Sequence, residues 1–157
     1  MTRVLVIGLD SADADLVERW SAEGHLPTLA ALRRDGLWGR PATTADVMHV
    51  SAWPTLYTGV TPGRHGLYHA YQTRAGERGI RRADPADAGR PPFWQRLDAA
   101  GRRCIVMDPF MDHPLEEFGG IQIHEWGSWT WFVRPGSRPR RIGRALERRI
   151  GGYPAPE

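Results

Sequence analysis

The chain has 157 residues, 41% of them apolar, with seven Trp, one Cys and no Lys, so its 21 cationic side chains are all Arg, set against 18 acids for a formal charge of +3. That length and apolar share suit one domain with a buried core and exclude disorder throughout. Cys104, standing alone, excludes a disulfide framework and any multi-cysteine metal site.

Residues 4–9, Val-Leu-Val-Ile-Gly-Leu, form a continuous apolar run, which predicts a strand covered on both faces. The run is too short for a signal peptide, and no stretch approaches the roughly 18 apolar residues of a membrane span. A soluble, cytoplasmic protein with no membrane partner is therefore expected. Asp10 follows the run at once. In open α/β sheets ligands gather outside the carboxyl ends of strands, and a carboxylate there is suited to a hard cation; helix capping is the plain alternative. Ser11 or Asp13 can cap a helix over Ala14–Ala22, where Leu16, Val17 and Trp20 fall at helical spacing. Leu26-Pro27 opens a second helix that Gly36 closes, and residues 37–43 read as extended.

Residues 45–71 are irregular and rich in Gly, Pro, His and aromatics, with a short helix expected around residues 53–57. Residues 74–91 read as a surface loop with room for a small hairpin. A helix over residues 93–100 ends at Gly101, followed by a buried strand over residues 104–107 and an alternating strand over residues 121–123. Strands alternating with helices predict an α/β domain with a mainly parallel sheet flanked by helices.

One ordered set of motifs is more specific than any of these patterns. It comprises Gly8-Leu9-Asp10, then Gly24-His25-Leu26-Pro27-Thr28-Leu29 with Leu32 and Gly36. Trp53, Thr58-Gly59, Pro62, His65-Gly66, Phe93-Trp94, Leu97 and Gly101 complete it. In this order and spacing the chain resembles, over about residues 3–130, the N-terminal portion of the type I phosphodiesterase/nucleotide pyrophosphatase family of the alkaline phosphatase superfamily. The resemblance implies an alkaline-phosphatase-like fold, here incomplete at its C-terminal side, and metal-dependent hydrolysis of small-molecule phosphate esters. In that family a pair of divalent ions, usually zinc, flanks a Thr or Ser nucleophile at a helix N-terminus, and Asp10 corresponds to the first metal ligand.

At the nucleophile the sequence departs from the family. Counting nine residues back from Thr58 gives His49, an imidazole where a hydroxyl is expected. His49 can serve as nucleophile or metal ligand, or Ser51 can take over the attack. Pro54 lacks an N–H and belongs in the first helical turn, which favours Ser51 as the helix cap. A third reading makes Ser51 only a cap and His49 a packed residue in a diverged site.

Other residues carry plainer expectations: His65 as a loop-shaping side chain, Asp112-His113 as a solvated pair, Cys104 as an inert small hydrophobe. Trp126, Trp129, Trp131 and Phe132 form a core patch or a stacking surface. The family's later ligands, including an Asp-His-Gly segment, have no counterpart, so the chain reads as an N-terminal fragment, inactive as it stands. Residues 1–133 form the domain body, with 14 Arg and 16 acids; residues 134–157 form an Arg-rich linker and helix (residues 141–150), with 7 Arg and 2 acids. The alternative function is thus a non-catalytic α/β domain that binds an anionic partner through this tail. With few aromatics there and no known nucleic-acid fold, nucleic acid is not the partner expected.

Overall fold

A computed structural model describes residues 3–46, 48–127 and 133–151 of the chain. It divides into two compact units, Met1–Ala42 and Thr43–Glu157.

The first unit is a helix pair. Helix α1 (Ala14–Ala22) begins where Asp13 accepts the N–H of Leu16 at 2.8 Å, satisfying one of the donors a helix start leaves open. Helix α2 (Pro27–Asp35) has Pro at its first position, where a missing N–H costs nothing, and ends at Gly36. Arg40 bridges Asp15 and Glu18, and the Arg33 guanidinium stacks 4.6 Å over the Trp38 ring. The strand expected over residues 4–9 is not formed. Val4, Leu5, Val6, Ile7 and Leu9 are 60–82% exposed, and no ladder partner pairs with them among the described residues. An apolar run becomes a strand only when a neighbouring chain takes up its backbone groups, and sequence pattern does not supply that neighbour.

The second unit holds the sheets and the core. A 3-10 turn (His49–Ser51) runs into α3 (Ala52–Thr58), followed by α4 (Pro62–His65). Strands β1 (Tyr71–Gln72) and β2 (Arg81–Arg82) pair antiparallel, making the small hairpin, and a 3-10 turn (Pro85–Asp87) leads on to α5 (Phe93–Ala99). The larger sheet has the order β3-β4-β5. Strand β3 (Ile105–Met107) lies parallel to β4 (Ile121–His124), which lies antiparallel to β5 (Gly136–Arg138). The fold is therefore a mixed α/β one with small sheets, and the parallel character extends to one strand pair among the described residues. The expected buried strand β3 is covered on one face only: Val106 turns to the core while Ile105 and Met107 are 77% and 64% exposed. Strand β5 falls inside the segment expected to be a linker, and α6 (Arg140–Ile150) follows it.

Two apolar clusters fill this unit. Val50, Leu67, Ala83 and Met111 form one; Tyr57, Trp94 and Leu115 form the other, with Trp53, Cys104, Val106 and Phe118 against it. Cys104 thus packs as a small hydrophobe. The Tyr57 and Trp94 rings meet at 5.1 Å with a 54° tilt, and the Tyr57 hydroxyl donates to the Met111 carbonyl at 2.5 Å, linking the clusters. Trp126 is buried; Trp129, Trp131 and Phe132 lie outside the described residues. No helix among the described residues is long and apolar enough to cross a membrane.

Tyr57→Phe keeps the ring packing and leaves the buried Met111 carbonyl without its donor. Urea unfolding is expected to show a loss of about 1–3 kcal/mol for this change. Trp94→Ala is expected to cost more, about 3–5 kcal/mol.

Candidate functional site

The segment that leads into α3 is shaped by local hydrogen bonding. Ser51 donates its backbone N–H to the Met48 carbonyl at 3.0 Å, and α3 starts one residue later, so Pro54 is its third residue and needs no N–H partner. Gly59 ends the helix at φ 70°, a left-handed conformation that costs glycine nothing. His49, first residue of the 3-10 turn, is exposed. Ser51 is 1% exposed, and its hydroxyl is committed inward, to the Met48 carbonyl at 2.7 Å and Thr44 Oγ1 at 3.0 Å.

From Ser51 a chain of polar contacts runs into the core. Thr44 Oγ1 lies 3.3 Å from Thr55 Oγ1, which lies 3.1 Å from His65 Nε2. His65 is fully buried, and its Nδ1 accepts the Leu67 N–H at 3.1 Å. That acceptance fixes the tautomer: the ring proton sits on Nε2 and is donated to Thr55. Burial holds the His65 pKa below the usual imidazole value, so the ring is neutral and its two nitrogens are both engaged. His65 shapes its loop, as its sequence context suggests. Sequence reading names Ser51 and His65 but passes over Thr44 and Thr55. The signal available for Thr55 is its position four residues after Ser51, on the same side of the turn.

A second group of polar side chains sits at the carboxyl ends of the parallel strands. Asp108, directly after β3, accepts the N–H groups of Trp126 and Gly127 at 2.9 and 2.6 Å. Asp108, Met111 and Glu125 all have φ near +55°, a conformation uncommon for residues with a side chain. Gln122, wholly buried in β4, accepts the Leu115 N–H through Oε1 and donates through Nε2 to Asp112 at 2.5 Å and to the His113 carbonyl at 2.8 Å. Asp112 is 2% exposed and His113 is half-buried, so the pair is not the solvated one its Pro-rich context predicts. Burial, reinforced by the nearby Glu125 carboxylate and opposed by the Gln122 bond, leaves the Asp112 pKa pushed up to about 7. Burial lowers His113 and His124 instead, and the Arg138 charge lowers His124 further.

Asp10 belongs to the first unit, where it is exposed and accepts a hydrogen bond from Ser11 at 3.1 Å; His49 and Ser51 belong to the second. Among the described residues, no three His, Cys, Asp or Glu side chains gather as a metal ion would require.

The chain matches the family model described as type I phosphodiesterase / nucleotide pyrophosphatase over residues 4–146, and it belongs to that family. No curated protein and no solved structure matches it.

The buried Asp112 carboxyl gives a pH dependence of known sign. Its folded pKa, about 7, lies above the ordinary 3.8, so the folded state keeps a proton that the unfolded chain has lost. The stability tied to that proton is complete below about pH 4 and lost as pH rises through about 7. Thermal unfolding of the wild type is expected to fall by several degrees relative to Asp112→Asn across that interval, with no further divergence above it.

Proposed function

We propose that this chain carries the reacting end of a phosphoric ester hydrolase site and that His49 is the group that meets the phosphorus. Membership of the family over most of the chain supports the reaction class: hydrolysis of phosphodiester or pyrophosphate bonds in small-molecule phosphate esters. The contrast at the mouth of α3 carries the choice of residue. Solvent reaches His49, while Ser51 is buried with its hydroxyl proton already donated to the Met48 carbonyl or Thr44. A nucleophile has to approach phosphorus in line with the leaving oxygen, and a hydroxyl turned into the core does not.

A neutral imidazole nitrogen can form the P–N bond as the P–O bond to the leaving group breaks, the leaving oxygen taking a proton from water. Water then attacks the phosphorus, releases phosphate or a phosphate monoester and returns the imidazole. The Ser51–Thr44–Thr55–His65 chain keeps the turn bearing His49 in place.

The family is metal-dependent. The finer reading for this chain is zinc binding with Asp10 as a ligand, and with His49 as a second ligand in the alternative where it is not the nucleophile. A bound zinc ion would neutralise charge on the phosphoryl oxygens. Among the described residues no three His, Cys, Asp or Glu side chains gather, and turnover by the chain alone is expected to be slow.

Release of nitrophenolate from an aryl phosphate diester and monoester, with and without added zinc, tests the proposal. His49→Ala is expected to lower the single-turnover rate at least about a hundredfold, the lower end of the range general for loss of a positioned catalytic group. Ser51→Ala is expected to retain it at some cost in stability. Loss in Ser51→Ala with the fold intact would transfer the role to the hydroxyl, and equal release from both variants and the wild type would remove the site from this turn. Zinc binding that survives both Asp10→Asn and His49→Ala would sink the ligand reading separately.

A further inference from the structure

We propose that α6 presents a row of arginines that docks on the phosphate backbone of double-stranded nucleic acid without reading its sequence. Arg140, Arg144 and Arg148 recur every four residues along the helix, about 6 Å apart at 1.5 Å rise per residue, and Arg141 stands beside the row. All four are exposed.

Three features together mark this face. The first is that no acid among the described residues neutralises its arginines, a trait shared by Arg78, Arg90 and Arg103, which are scattered along the sequence and form no such row. Elsewhere Arg34 pairs with Asp35, Arg40 with Asp15 and Glu18, and both Arg74 and Arg81 with Glu77 and Asp87. No α6 arginine forms an ion pair among the described residues, and the helix's one acid, Glu147, is paired with none of them. The second is anchorage. The Gly143 N–H donates to Ser137 Oγ at 2.7 Å, and a Cβ at Gly143 would lie 3.0 Å from that oxygen, so the helix sits close on β5 with Ile142 and Leu146 half-buried. The arginines therefore project from a fixed element rather than a loose tail. The third is charge contrast: net +5 over residues 134–157 against −2 over residues 1–133, which favours a polyanion at this end.

The same features select the partner. Ile142 and Leu146 of α6 are half-buried on the side of the helix that packs on β5, and Ile150 alone among its large apolar residues is exposed, too little for insertion into a bilayer. The helix has no aromatic residue on which an unpaired base could stack. What remains is phosphate recognition by guanidinium groups, strongest where phosphates are densest, along a duplex.

The test is fluorescence anisotropy of the full chain with short labelled DNA duplexes of two unrelated sequences, across a salt series. Four phosphate contacts predict a log–log salt slope of about −3.6, or about 150-fold weaker binding at 200 than at 50 mM salt. Arg140→Gln/Arg144→Gln/Arg148→Gln is expected to reduce that loss to about three- to fourfold, and Arg144→Gln or Arg148→Gln singly to lower the slope by about 0.9. Arg78→Gln/Arg90→Gln/Arg103→Gln removes equal charge from exposed positions elsewhere and is expected to keep the wild-type slope. Far-ultraviolet circular dichroism checks the fold, and the single variants carry the test if the triple one is misfolded. No binding by the wild type, equal loss in the control variant, strong preference for one sequence, or row-dependent binding to anionic phospholipid vesicles without duplex binding would each overturn the proposal.

Discussion

Gln122 lies at the centre of the larger unit without exposure to water, and its one amide group holds the long irregular connection between β3 and β4. Parallel strands need a crossover, usually a helix, to return the chain to the same edge. Here residues 108–120 contain no helix, so their backbone groups need other partners. The Gln122 oxygen takes the Leu115 N–H and its nitrogen serves Asp112 and the His113 carbonyl, fixing both ends of the amide without ambiguity. Leu115 is thereby delivered to the Tyr57–Trp94 cluster, and Met111 is brought to the hydroxyl of Tyr57. A side chain that sequence presents as polar filler between two isoleucines determines where both clusters meet.

That arrangement explains which features the sequence makes legible. Local rules suffice for α1, with Asp13 as its cap, and for α2, between Pro27 and Gly36. Each depends on residues within one or two turns. Strand β5 depends on a distant partner instead: Gly136-Ser137-Arg138 has no apolar content and becomes a strand by pairing with Gln122–His124 across the sheet. Residues 4–9 show the reverse, with full apolar content and no strand partner among the described residues, so pattern alone predicts a strand that is not formed.

The candidate site divides in the same way. Counting from Thr58 identifies His49, and the missing N–H of Pro54 locates the start of α3; both are local arithmetic. Whether the Ser51 hydroxyl points outward depends on Thr44, seven residues earlier, and through Thr55 on His65, ten residues beyond that. Likewise, Asp112 reads as solvated until the glutamine ten residues later is seen to cover it. Residue type announces the available chemistry, while burial decides which group can use it.

The exposed run at residues 4–9 has a consequence for how the protein behaves at high concentration. Six uncharged, Pro-free residues, three of them the strong β-formers Val4, Val6 and Ile7, with open backbone groups are close to the composition from which cross-β stacks are built. Arg3 and Asp10 bracket that run with opposite charges, acting as gatekeepers that make in-register stacking of several copies costly. Asp10 therefore contributes to colloidal behaviour whatever its part in chemistry. Neutralising it, a natural step in probing metal binding, also removes one guard against self-association, so Asp10→Glu is the variant that alters the carboxylate's reach while leaving that guard in place.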